Sequence, residues 1–359
     1  MTVTRTRLKK AFDRLKRYVL QSRLRLAAVI AAAVILTLVA IMFGIAQWYI
    51  HNQRSQPYVQ GVTFIPAYAE SLGVDPQETM DALLGIGVRH FRLVSYWNQT
   101  EPVPGQYDFS LLDWQFKKAE AADAKVILTV GLRQPRWPEC HEPNWADTTK
   151  PLDTWQPQLE RYMTAVINRY KTSPALESYQ LENEYFLRGF GHCKDFSRSR
   201  LVDEFNLVRK LDAKHTIIVG RSNNALGFPA GQPTPDAWGI SIYKRVWDAA
   251  VTKRYLEYPF PSWFYGFLAG TQKLYAGKDM IIAELQAEPW PPKGSPIVNT
   301  SLAEQNKSFN AKRFEDRIKF AEGTGMRGTY YWGAEYWYYR KIVLHDDSVW
   351  RVAQATFNR

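Results

Sequence analysis

The chain has 359 residues, 46% of them hydrophobic, enough to bury a sizeable core and unlike the composition of a disordered chain. Its formal charge is +11, but residues 1–25 hold nine basic residues and one acid, leaving 37 basic and 34 acidic residues for the rest. The body is thus close to neutral and carries no zinc-finger, RNP or helix-turn-helix pattern, so no nucleic-acid partner is expected. The 13 Trp, 20 Tyr and 18 Phe suit both a core and a site that stacks on flat apolar ligand faces.

Directly after the basic tail, Leu26–Ala46 reads LAAVIAAAVILTLVAIMFGIA, an uncharged run followed by Trp48 and Tyr49. At 1.5 Å per residue such a helix spans roughly the 30 Å hydrocarbon core, and the aromatic pair suits the interface. The basic flank places the tail in the cytoplasm by the positive-inside rule. The expected organisation is a basic cytoplasmic tail over 1–25, a transmembrane signal-anchor helix over 26–49, a linker over 50–60 and an extracytoplasmic domain over 61–359. A cleaved signal peptide ending at Gly44-x-Ala46 is the rival reading. The length of the apolar run, beyond the 7–15 residues usual for a signal h-region, favours the anchor.

Beyond the linker, short apolar runs alternate with amphipathic segments. Strands are predicted at Gly61–Pro66, Val88–Val94, Lys125–Val130, Ser178–Leu181, Thr216–Val219, Trp238–Ile242, Met280–Ala283 and Gly328–Trp332. Helices are predicted at Asp75–Leu84, Leu111–Ala122, Trp155–Tyr170, Arg200–Leu211, around Trp263–Tyr275 and over Leu302–Glu322. Eight strands alternating with helices over about 300 residues fit a (β/α)8 TIM barrel. An open doubly wound sheet is the competitor, but no glycine-rich phosphate loop follows the first strand.

In a barrel, chemistry belongs at the C-terminal ends of the strands. The fourth run ends in Gln180-Leu181-Glu182-Asn183-Glu184-Tyr185, the seventh in Ile281-Ile282-Ala283-Glu284-Leu285. Carboxylates at the ends of buried strands are costly unless they have a partner or a task. Glu288 is a rival to Glu284, although capping or substrate contact suits it better. Glu182 reads as a polar barrel-interior residue without a role.

This ordering resembles the glycoside hydrolase superfamily called clan A, the 4/7 barrels, in which an Asn-Glu pair ends strand four and a second Glu ends strand seven. The stretch Arg92-Leu93, Trp97, Glu101-Pro102, Gly105-Gln106-Tyr107-Asp108-Phe109 and Asp113 is similar to the same superfamily. The resemblance covers roughly Gly61 to Trp337. It implies Glu184 as general acid/base and Glu284 as nucleophile, with Asn183 on the sugar 2-hydroxyl. It further implies Arg92 and Tyr243 beside Glu284, and Trp332 as a sugar-stacking platform. Glu101 and Asp113 would fix the second βα loop. Trp97, Trp137, Trp145, Trp247, Trp290 and Trp337 are expected on the same face. Tyr185 stands where many relatives have Pro, a variant more like beta-galactosidase-type members. Strand seven continues Leu285-Gln286-Ala287-Glu288-Pro289-Trp290 instead of an aromatic-glycine ending. Both departures leave the sugar open.

The only cysteines are Cys140 and Cys193, in the loops after strands three and four. An exported domain favours a disulfide. The flanking His141 and His192 also allow a Cys2His2 metal site, though adjacent ligands are not the usual zinc spacing, and unpaired thiols are the third reading. The expected activity is retaining hydrolysis of a β-linked oligo- or polysaccharide, with no cofactor and no metal. The partners expected are a carbohydrate substrate and, through the N-terminal helix, the membrane. A transglycosylase would use the same residues. A tethered carbohydrate-binding protein on an inactive barrel is the alternative of another class.

Overall fold

The computed structural model describes residues 22–222, 231–292 and 295–358. The expected basic tail up to residue 21 therefore lies outside the described residues. Eight parallel strands close into a barrel: β1 (Val59–Phe64), β2 (His90–Leu93), β3 (Lys125–Val130), β4 (Leu176–Leu181), β5 (Thr216–Ser222), β6 (Ala237–Ile242), β9 (Asp279–Gln286) and β10 (Gly328–Trp332). β7 (Arg245–Asp248) and β8 (Arg254–Glu257) form a separate antiparallel hairpin after β6. β1 pairs with β2 on one side and with β10 on the other, which rules out the open doubly wound sheet.

The barrel interior is layered, as this fold requires. Ile127, Ile218 and Tyr330 form a small apolar layer near the strand starts. Gly61 makes room for it, because a Cβ there would lie 2.6 Å from the Tyr330 ring. Above that layer the inward residues turn polar, with Thr63, Arg92, Gln180 and Glu284 all buried. The change of polarity inside the barrel places the chemistry at one end.

The helices follow the expected order with local differences. Asp75 caps Pro76–Gly85 by accepting from Glu78 N, as its position before Pro predicts. The segment expected as one helix over Leu302–Glu322 is two, Leu302–Ser308 and Ala311–Glu322. Phe309 turns extended to bury its ring in the core, and Asn310 starts the second helix by accepting from Arg313 N. Two further helices, Ala334–Ile342 and Ser348–Phe357, close the chain after β10.

The N-terminal helix is a single element, Arg23–Gln53, with one span long and apolar enough to cross a membrane. Residues 23–41 face outward along their whole length, about 28 Å of helix at 1.5 Å per residue. The last three turns dock on the barrel. Ala46 and Tyr49 are buried, Phe43 meets Trp263 edge-on at 5.6 Å, and Gln53 Nε2 donates to Asp279 Oδ1 at 3.2 Å. The receiving helix, Ser262–Ala276, offers Gly266 and Gly270 one turn apart. A Cβ on Gly270 would lie 3.0 Å from both Ile45 Cγ2 and Tyr49 Cβ, so glycine allows the close approach without displacing either side chain. Residues 50–60 comprise the end of this helix, a turn and the first two residues of β1.

Candidate active site

β4 ends at Leu181, and the chain turns sharply through Glu182 (φ 56°), Asn183 and Glu184 (φ 42°). Two non-glycine residues in the left-handed region within three positions are strained backbone, held only because the surroundings over-determine it. Glu182 supplies much of that hold. Its carboxylate accepts from Leu132 N at 2.6 Å and pairs with Arg200 at 3.0 Å, tying the β3 and β4 loops to the helix Arg198–Leu211. Gly131 lies so close that a Cβ would sit 2.3 Å from Glu182 Oε1. Glu182 is thus a loop-fixing ion-pair residue.

Arg92, on β2, is fully buried and spends its guanidinium across the barrel. Nη1 donates to Glu284 Oε1 at 2.9 Å and to Thr63 Oγ1 at 3.2 Å. Nη2 donates to Asn183 Oδ1 at 2.9 Å, and Nε to Gln180 Oε1 at 2.7 Å. Tyr243, just past β6, donates its hydroxyl to Glu284 Oε2 at 2.7 Å. Burial, followed by the charge of Glu284, raises the Tyr243 phenol well above its ordinary range, so it stays a donor. Both oxygens of Glu284 are therefore engaged, one by a cation and one by a neutral hydroxyl.

Glu184 stands in a different environment. It is 5% exposed; Ser241 and Ser222 hydrogen-bond to it, while its Oε1 has no partner among the described residues. Burial raises its carboxyl most, and the charge of Glu284 raises it further, against Arg133 and the two serines, which lower it. Ser241, which hydrogen-bonds to Glu184, pairs in register with Glu284 across β6 and β9, so the two glutamates lie close enough for their charges to interact. The two carboxylates thus stand in different surroundings, Glu284 clamped by Arg92 and Tyr243 and Glu184 raised by burial.

The other expected residues fall into two groups. Asn183 is at the centre, between Arg92 and the β3 loop. Trp332, at the end of β10, is 5% exposed with the Arg136 guanidinium 4.5 Å above its ring. Arg136 also covers Tyr68 at 3.3 Å and pairs with Glu288 at 3.3 Å, and Tyr68 donates to Glu288 as well. Glu288 thus faces Arg136 and Tyr68 while Arg92 serves Glu284. Glu101 accepts from Trp97 Nε1 and Gly105 N within the second βα loop. Asp113 instead joins two helices, accepting from Arg169 and Tyr170.

Of the six tryptophans, Trp97 and Trp337 are fully buried core residues, and Trp290 packs edge-on against Tyr243 at 5.2 Å. Trp247 packs on Tyr255 in the hairpin, Trp145 packs on Trp97, and Trp137 is more than half exposed. Cys140 and Cys193 form a disulfide with Cα atoms 5.2 Å apart. The Cys2His2 reading fails on this pairing: His141 stacks on Tyr96, His192 packs on Trp137, and no metal-ligand cluster occurs among the described residues.

Several site residues were not visible in the sequence. Arg133, Arg136 and Glu139 come from the irregular stretch after β3, where Arg136 (φ 81°) and Glu139 (φ 75°) are again left-handed. Such a loop has no periodicity to read; the only signal was its position before Cys140. Ser222 and Ser241 were unremarkable strand residues until the barrel closed around Glu184.

Comparison with known proteins points the same way. A family profile described as Glyco_hydro_42, Beta-galactosidase, matches residues 75–151. Mannan endo-1,4-beta-mannosidase A of Podospora anserina is 31% identical over 84 residues, 23% of this chain and 21% of that protein. An exo-beta-1,4-mannosidase from an Opitutaceae bacterium superposes with a TM-score of 0.52 at 15% identity, over 77% of this chain and 51% of that one. A family 42 beta-galactosidase from G. stearothermophilus gives 0.54 at 12% identity, over 85% and 57%. An endo-beta-1,4-xylanase of family 10 from Gloeophyllum trabeum gives 0.51 at 16%, over 78% and 85%. The chain spans about half the length of the first two structures and about a fifth of the curated mannosidase. The structural likenesses establish the barrel, and the family match covers its second βα unit and third strand.

Proposed function

We propose that this chain is a retaining glycoside hydrolase acting on a β-linked oligo- or polysaccharide, with Glu284 as nucleophile and Glu184 as acid/base. The observation that carries the reading is the asymmetry of the two carboxylates. Glu284 is clamped between Arg92 and the Tyr243 hydroxyl, whereas Glu184 is buried, raised, and has one oxygen without a partner among the described residues. Glu284 attacks the anomeric carbon while Glu184 gives its proton to the departing glycosidic oxygen, forming a covalent glycosyl-enzyme. Glu184 then takes a proton from the water that displaces the sugar from Glu284. A barrel that only binds sugar does not need the clamp on Glu284, and burying two carboxyl groups without a task is expensive.

The membrane side of the proposal rests on the basic flank of the N-terminal helix. Nine basic residues before an apolar span favour a cytoplasmic tail, with the barrel on the far side of the bilayer. A disulfide in the barrel fits that compartment.

The test is an activity screen of the full chain in detergent on aryl β-glycosides and cell-wall glycans, beside Glu284→Ala and Glu184→Gln. Turnover abolished by Glu284→Ala and selectively impaired by Glu184→Gln supports the reading. Activity that survives both changes refutes the assignment, and sugar binding without turnover favours the inactive barrel.

A further inference from the structure

A third carboxylate lies in this site. Glu139 is buried at 3% exposure in the β3 loop, in a left-handed conformation that costs free energy for any residue with a side chain. Asn183 Nδ2 donates to its Oε2 at 3.1 Å, and Arg133 Nε is 3.5 Å from the same oxygen. The surrounding chain is shaped around it. Gln134 N donates to the Glu139 carbonyl at 2.8 Å, the next residue is bonded to Cys193, and a Cβ on Gly191 would lie 2.8 Å from the Glu139 Cβ.

Two-carboxylate chemistry does not call for a third acid, and a buried acid whose nearest cation is 3.5 Å away is not a strong structural ion pair. Its contacts run instead into the site. Asn183 accepts on Oδ1 from Arg92 and Gln180 and donates from Nδ2 to Glu139, so the two sides of its amide are fixed by different partners. The chain Glu139–Asn183–Arg92–Glu284 is a continuous line of hydrogen bonds ending on the nucleophile. We propose that Glu139 is a positioning residue of the active site, fixing the Asn183 amide and sharing with Glu184 the charge of the buried Arg133.

This inference rests on the glycosidase reading for its kinetic consequence but not for its geometry. Glu184 faces Glu284 from β9, Ser222 from β5, Ser241 and Tyr243 from β6 and its exit, and Arg133 from the β3 loop. Burial raises the Glu139 carboxyl first, and the charge of Glu184 raises it next. Two acids coupled in this way release their protons in steps that belong to the pair. The ionised Glu184 carboxylate therefore holds a proton on Glu139 to higher pH than Glu139 would keep alone.

The test is Glu139→Gln in the full chain, since the amide can still accept from Asn183 Nδ2 but carries no charge. KM should change less than about threefold, because the Asn183 contact is kept. Glu139→Ala removes the contact too and should lower kcat ~10-fold below that of Glu139→Gln, the worth of a hydrogen bond to a charged group. A second readout needs no substrate: carboxyl titration by carbon-13 NMR of the full chain, with Glu139→Gln to assign the signal. The Glu139 signal should titrate at lower pH in Glu184→Gln than in the native chain. If no glycoside is cleaved but this signal moves, the coupling stands and the glycosidase reading falls. If glycosides are cleaved, the signal stays in place and Glu139→Ala matches Glu139→Gln in kcat, the inference is overturned.

Discussion

Arg92 and Glu284 form an ion pair 2.9 Å long in which neither side chain is more than 3% exposed. Removing one partner of such a pair strands the other charge, at a cost of about 3–5 kcal/mol. Arg92→Ala should therefore lower stability by that order in urea denaturation. The change also strips Glu284 Oε1 of its cation, so on the proposed mechanism kcat should fall at least ~10-fold. An unchanged kcat would show that Arg92 does not act on Glu284.

Tyr243→Phe deletes one hydrogen bond to Glu284 and leaves the ring against Trp290 in place. A hydrogen bond to a charged group is worth about 1.5–3 kcal/mol, which predicts a fall in kcat of roughly 10–100-fold. KM should move little if the bond matters most as charge leaves the carboxylate. A rise in KM with kcat intact would reassign Tyr243 to substrate binding.

On the proposed mechanism Glu184 must carry a proton for the first step, and burial followed by the Glu284 charge holds its pKa above the usual carboxylate range. The sign follows directly: the protonated fraction, and with it kcat/KM, is full below that raised pKa and declines as pH rises through it. Glu184→Gln should remove this basic limb. Aryl glycosides with good leaving groups should be spared most in glycosylation, because they need little protonation. A basic limb that persists in Glu184→Gln assigns the acid elsewhere.

The docked face of the N-terminal helix predicts a stability effect far from the chemistry. Gly270→Leu inserts a side chain where Ile45 and Tyr49 already lie within 3.0 Å of a Cβ, so a loss of about 1–3 kcal/mol is expected from overpacking. A truncated chain beginning at Gly61 loses Tyr49 and also Val59 and Gln60, which pair with Gly328 and Thr329. It should melt lower and aggregate more than one beginning at Ala46, as read by thermal unfolding and light scattering. Equal melting of the two would show that the docked turns contribute nothing.

The legible part of this molecule was periodic. Short apolar runs marked every barrel strand to within a few residues, because a buried parallel strand cannot avoid being continuously hydrophobic. Glu184 and Glu284 stood out for the same reason, as charges ending such runs. What was hidden depends on closure and on irregular backbone. The β7–β8 hairpin and the break at Phe309 arise where local preference yields to packing. The cover that Arg136 lays on Trp332, and the approach of Glu139 to Asn183, join loops and strand ends with no shared pattern in sequence. The N-terminal helix illustrates both: its apolar length was plain, but the face Ala46–Tyr49–Gln53 docks against glycines more than two hundred residues away.

The central claim is that Glu284 becomes covalently bonded to the sugar. An activated 2-deoxy-2-fluoro β-glycoside of whichever sugar the screen identifies slows release of the glycosyl-enzyme, so the adduct can be located by peptide mass spectrometry. Labelling on Glu284, absent in Glu284→Ala, is the predicted result. Labelling on Glu288, or an active enzyme that forms no adduct and inverts the anomeric centre, would contradict it.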